Sequence, residues 1–82
     1  MTTIQISKNV FALCTSSNNS AGFKHHVVLV INGIEQKKVS VQYYNRTWEA
    51  KRFDTAIHKA VDKYKGLISE EDMIEIKKYL NS

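Results

Sequence analysis

Proline is absent, cysteine occurs once and glycine only three times in this chain of 82 residues. Without proline there is no rigid polyproline linker. One cysteine, Cys14, cannot close an internal disulfide, and a lone thiol fits a reducing compartment. No apolar run approaches the roughly 20 residues of a membrane span; none is longer than Val27 to Ile31. The start, Met1-Thr2-Thr3-Ile4-Gln5, lacks the basic lead and apolar core of a secretory signal. These absences predict a cytoplasmic protein with no membrane contact, and the length predicts one domain over 1–82.

What is present is ordinary globular composition, 43% hydrophobic and 24% charged. The charge is uneven. Twelve Lys and Arg face eight Asp and Glu, and the basic excess lies in residues 1–65, whereas residues 66–82 are net acidic. A basic body suits phosphate backbones or an acidic protein surface. A merely solvated, lysine-rich surface fits the same numbers.

Val10 to Thr15 reads as a strand, and Ile4 and Ile6 alternate with polar neighbours as its extension or as an edge segment. Ser16 to Gly22 is polar and glycine-terminated, which predicts a mobile loop. His25 to Ile31 is apolar on both faces and reads as a central strand. Asn32-Gly33 then supplies the positive φ angles of a two-residue type I′ turn. A regular hairpin about that turn sets Ile31 against Ile34, Leu29 against Gln36, Val27 against Lys38 and His26 against Val39. The third strand runs to about Tyr44.

A long helix is expected next, capped by Asn45 or Thr47, with Glu49 in its first turn. Ala50, Phe53, Ile57, Ala60, Val61 and Tyr64 form its apolar stripe, and Gly66 ends it. A shorter helix starts at a Ser69 cap, with Glu70, Glu71 and Asp72 in its first turn and an Ile68–Met73 staple. The predicted fold is α+β: a three-stranded antiparallel meander packed on one long helix, followed by a short C-terminal helix, β-β-β-α-α.

Catalytic chemistry finds no foothold. Cys14 lies in an apolar strand, where a buried inert thiol is expected. His25 and His26 are adjacent in a strand and point to opposite faces, so they do not share a metal. His58 stands four residues from both Asp54 and Asp62, the spacing of solvated helix pairs. We therefore expect no enzyme activity, no cofactor and no metal.

Two surfaces remain. With Val39, Val41 and Tyr43 turned to the long helix, the regular hairpin leaves Val27, Leu29, Ile31 and Ile34 on the other face. A patch of that size calls for a cover: the first strand, the second helix, a second copy or a foreign partner. The other surface is the strand-to-helix junction, where Tyr44, Arg46 and Trp48 precede Lys51 and Arg52. Tyr, Trp and Arg dominate interface hot spots. On an ideal helix Trp48 points about 140° away from Phe53. It is either a contact residue or a lid on the core. Lys37, Lys38, Arg46, Lys51, Arg52 and Lys59 would serve DNA or RNA through phosphate contacts.

The run Tyr43-Tyr44-Asn45-Arg46-Thr47-Trp48-Glu49, followed by Arg52-Phe53, resembles a segment of small, mostly uncharacterised proteins of bacteriophages and other mobile elements. The resemblance covers about a quarter of the chain. It implies an accessory protein in a host cytoplasm, of a class that includes inhibitors of host processes and of defence, anti-CRISPR proteins among them. A fainter likeness is to three-stranded-sheet DNA binders of the integrase-arm type, although the expected open face is more aliphatic and less basic than theirs. The expected function is a small binding protein for a host protein or nucleoprotein, with Tyr44, Arg46, Trp48, Lys51 and Arg52 as anchors. DNA or RNA binding is the alternative, and a homodimer through the aliphatic face is a further expectation.

Overall fold

The alternating apolar residues of the first half of the chain do become antiparallel strands, but more of them than the sequence suggests. The computed structural model describes residues 1–44 and 53–81. Its strands are β1 (Thr2–Ser7), β2 (Val10–Asn19), β3 (Gly22–Ile31), β4 (Ile34–Glu35) and β5 (Val39–Tyr43). They form one five-stranded sheet in which β1, β2 and β3 are neighbours and both β4 and β5 pair with β3. Helices α1 (Asp54–Tyr64) and α2 (Glu70–Leu80) follow, joined by a 3-10 turn at Lys65–Leu67. The α+β class stands, with five strands in place of three and a short α1 in place of a long helix. The expected caps Asn45 and Thr47, with Glu49 and Ala50, lie outside the described residues.

Three local differences have physical causes. Ser16 to Asn19 is not a loop; it completes β2, and only Ser20 and Ala21 turn the chain. Its polar side chains find strand partners: Ser17 meets the His26 ring and Asn19 meets Gln42. Polarity here marks a solvent-facing strand. Gly66 does not end α1 with a left-handed residue, because the chain tightens into the 3-10 turn after Tyr64. The largest difference is register. Asn32 and Gly33 adopt φ of 52° and 81°, and Ile31–Ile34 and Val30–Glu35 pair as expected. Beyond them Val27 pairs with Val39 and His26 with Ser40, a slip of one residue from the regular hairpin. The extra residue is absorbed at Gln36–Lys38, between the two short strands, where the Gln36 N–H donates to the Leu29 carbonyl at 2.8 Å. This is a bulge.

One residue of slip exchanges the faces of a strand relative to its partner. Val39, Val41 and Tyr43 do face the helices, and they share that face with Phe23, His25, Val27, Leu29 and Ile31. Of the supposedly open aliphatic set, Val27, Leu29 and Ile31 are therefore the floor of the core, while Ile34 beside the turn is exposed. Val10, Ala12, Cys14 and Ile6 complete that floor, and Ala56, Ile57, Ala60, Val61 and Ile76 close over it. The cover is the protein's own helices, so this face offers nothing to a second copy. Cys14 is buried and its thiol is pushed up to about 11 by burial, which leaves it protonated and unreactive at neutral pH.

The second helix is tied to the far end of the sheet by its acidic first turn. Ser69 caps it, accepting from the Asp72 N–H, and donates its hydroxyl to Asp72 at 3.0 Å. The Asn9 side-chain amide donates to the same carboxylate at 3.3 Å, and the Lys8 N–H donates to Glu75 at 3.0 Å. Thus α2 grips the β1–β2 turn. Burial alone would raise the Asp72 carboxyl. The nearby Ser7 hydroxyl and the hydrogen bonds from Ser69 and Asn9 outweigh it and hold the group below its ordinary value. Asp72 itself is 4% exposed. We expect Asp72→Asn to cost about 1–2 kcal/mol at pH 7. The wild-type advantage is full above the ordinary aspartate pKa of about 3.9 and lost as pH falls through the lowered native value. Urea midpoints of both proteins from neutral to acid pH should converge; a gap that stays constant would sink this account.

Candidate functional site

The open side of the sheet is built by the strand positions that the core does not use. Reading across β1, β2, β3 and β4, Gln5, Phe11, Val30 and Glu35 form one row, and Thr3, Leu13 and Val28 the next. Thr15, His26 and Ser40 follow, then Ser17, Lys24 and Gln42. Tyr44 stands at the end of this series, just past β5, and is 74% exposed. Among the described residues no helix packs on this face, since those of α1 and α2 that are buried join the opposite core. Phe11 is exposed, while Leu13, Val28 and Val30 are half-buried by their strand neighbours.

The face has two halves. Phe11–Val30 and Leu13–Val28 are apolar cross-strand pairs. The other half is a polar network in which the His26 ring bridges two strands. Its Nε2 lies 2.9 Å from Ser17 Oγ and its Nδ1 2.7 Å from Ser40 Oγ. Burial, then the charges of Lys38 and Lys24, lower the His26 pKa, so the ring is neutral at pH 7. The Asn19 side-chain amide donates to Gln42 at 2.9 Å and extends the network towards Tyr44. Glu35, at the far apolar end, is the only carboxylate that the described strands place on this face.

Beneath Tyr44, on the core side, aromatic rings collect around His25. Phe23 stacks on Tyr43 with centroids 4.8 Å apart and planes within 5°. His25 meets the Tyr43 ring at 5.0 Å and the Phe53 ring at 4.3 Å, and is itself 2% exposed. Tyr43 and Phe53 thus both meet His25, in ring contacts worth about 0.5–1.5 kcal/mol each beyond their buried area.

Of the residues expected to bind, Tyr44 lies on the open face, and Lys37 and Lys38 are exposed in the bulge beside it. Lys59 does not join them. It lies on the solvent side of α1, next to the exposed His58–Asp62 pair at 3.4 Å, with the sheet between it and Tyr44. Arg46, Trp48, Lys51 and Arg52 lie outside the described residues. Sequence reading missed Ser17, Lys24, His26 and Ser40. The alternation of His26 with His25 was visible, but only the true register shows that Ser40 faces it. Among the described residues no three His, Cys, Asp or Glu side chains converge as metal ligands, and no helix is long and apolar enough to cross a membrane. The chain matches no protein-family model, no curated protein and no solved structure.

Proposed function

We propose that the chain is a small non-enzymatic binding protein of the mobile-element type, which engages a host protein or nucleoprotein through the open sheet face and the adjoining junction. The supporting observation is the pair of apolar cross-strand contacts, Phe11–Val30 and Leu13–Val28, on a face that no described element covers. Polar residues border them on both sides, which is the anatomy of a protein interface. Tyr44 is exposed at one end, and the run with Arg46, Trp48, Lys51 and Arg52 follows it in sequence. The Ser17–His26–Ser40 trio favours binding over acyl transfer. Its third member is a hydroxyl rather than a carboxylate, and it lies on an open sheet surface.

The test is capture from a bacterial lysate by the wild-type protein and by the variant carrying Phe11→Ser and Leu13→Ser. A partner retained by the first and lost by the second, with both proteins folded, is the expected result. A partner held equally by both would move the contact elsewhere.

Direct binding of DNA or RNA is a second reading, favoured by a separate observation: the polar half carries Lys24 with Lys38 alongside, and no described carboxylate. A salt-stepped titration should then show log affinity falling with log salt at a slope of about −3 to −5. Lys24→Gln with Lys38→Gln should flatten that slope by about two. No binding at about 100 mM salt would dispose of this reading.

A further inference from the structure

The polar half of the open face ties the two lysines of the nucleic-acid reading to a hydrogen-bonded trio. Three adjacent strands bring a histidine and two hydroxyls into contact, with a lysine on either side. His26 and Lys24 are two residues apart on β3 and so share a face. Ser17 pairs directly with Lys24 and Ser40 directly with His26. Lys38 precedes β5 and acts on the His26 ring through its charge, as Lys24 does. The facing positions on β2 and β5 (Thr15, Ser17, Ser40 and Gln42) carry no titratable group.

We propose that Ser17, Lys24, His26, Lys38 and Ser40 form a phosphate site on the open sheet face, which holds one phosphodiester of a nucleic-acid backbone and gains a proton at His26 as it binds. The hydrogen-bond inventory gives the reason. A neutral imidazole has one donor and one acceptor nitrogen. One serine must therefore donate its hydroxyl proton to the ring, and only the other can aim its proton outward. When the ring is protonated both nitrogens donate, both serine oxygens accept, and both hydroxyl protons turn free. A phosphate arriving at the trio thus finds two O–H donors in place of one, a cationic ring behind them and two ammonium groups beside them. The proton comes from bulk water. Each of these contacts is charge-assisted, and the anion offsets the repulsion that Lys24 and Lys38 exert on the protonated ring.

The inference deepens the nucleic-acid reading and rests on it for the identity of the phosphate, but it is read out at one side chain. The experiment follows the His26 ring protons by NMR against pH, in sodium chloride, in sodium phosphate and with a short oligothymidylate, all at one ionic strength. We expect the His26 midpoint to rise by about half a unit or more with both phosphate sources relative to chloride. Ser17→Ala with Ser40→Ala should remove most of the rise. Lys24→Gln, which leaves the trio intact, should reduce it even if the serine variant fails to fold. A rise with inorganic phosphate alone would overturn the backbone assignment. No rise with either would overturn the site, and oligothymidylate binding without a His26 response would do so while leaving the nucleic-acid reading in place.

Discussion

Gly22→Ala is expected to cost about 3 kcal/mol or more and to open the end of the sheet from which the candidate site extends. Gly22 opens β3 at φ +144°, a region that L side chains rarely adopt. Strain is only part of the cost. A Cβ built there runs into the carbonyl oxygen of Tyr43 and lies 3.1 Å from the Cα of Tyr44. Both obstacles are backbone, so no rotamer change relieves them. The β5 strand must retreat, and the first contact to go is the Phe23–Tyr43 pair, which is both a strand register pair and the ring stack. His25 then loses one of the rings around it. Because Tyr44 follows directly, the substitution should weaken partner capture as well as stability. Urea unfolding, with NMR contacts between Phe23 and Tyr43, measures both parts. Unchanged stability with the contacts retained would show that the turn has another way to close.

How much of this was legible in the sequence depended on how local the cause was. Asn32-Gly33 specifies its turn through its own φ preferences, and the turn formed with the expected first pairs. Ser69 specifies the start of α2 through one side chain and one N–H three residues on, and that cap formed too. The stripe Ile57, Ala60, Val61 encodes a buried helix face by periodicity alone. Failure came where a neighbour in space decided. Ser16 to Asn19 looked like a loop because the residues are polar, yet their strand is fixed by ladder bonds to β3 and by side-chain partners across it. Those partners, His26 and Gln42, cannot be paired with them from spacing while the register is unknown. Gln36-Lys37-Lys38 contains no glycine or proline to announce a bulge. A regular alternation was the simplest reading, and it put Val27, Leu29 and Ile31 on the wrong side. The candidate site suffered most, because the regular register sets Ser40 and Gln42 opposite His25 and Phe23 instead of His26 and Lys24. The faint likeness to sheet-based DNA binders was weakened by an aliphatic face that turns out to be the core.

Deleting Lys37 should remove the bulge and keep the inward face, at a small cost. In the shortened chain the hairpin from Asn32-Gly33 continues in regular register, and that register sets Val39 opposite Val27, the pair that the bulge now secures. Val39, Val41 and Tyr43 stay against the helices, and Ser40 stays beside His26. The loss is local: the Tyr64 hydroxyl donates to the Lys37 carbonyl at 3.2 Å, and a hydrogen bond of that kind is worth about 1 kcal/mol. That bond uses the backbone, so Lys37→Ala keeps it and should stay within about 0.5 kcal/mol of wild type. The costly alternative is the full-length strand in regular register. Val39, Val41 and Tyr43 would then turn outward, and Ser40 and Gln42 would turn into the core. Losing the burial of a valine and a tyrosine costs about 2 kcal/mol each, and the two polar side chains add the cost of desolvation without partners. The total reaches about 4 kcal/mol or more, a large share of the 5–15 kcal/mol by which small domains are stable. The inner face therefore imposes the bulge on the turn. Thermal unfolding of the deletion variant and of Lys37→Ala measures this, with the cross-strand contact between Val27 and Val39 as the structural readout. A deletion variant that keeps that contact and loses about 1 kcal/mol is the expected result. Loss of the contact with Lys37→Ala intact would show that the extra residue itself, rather than the inner face, holds β5 in its pairing.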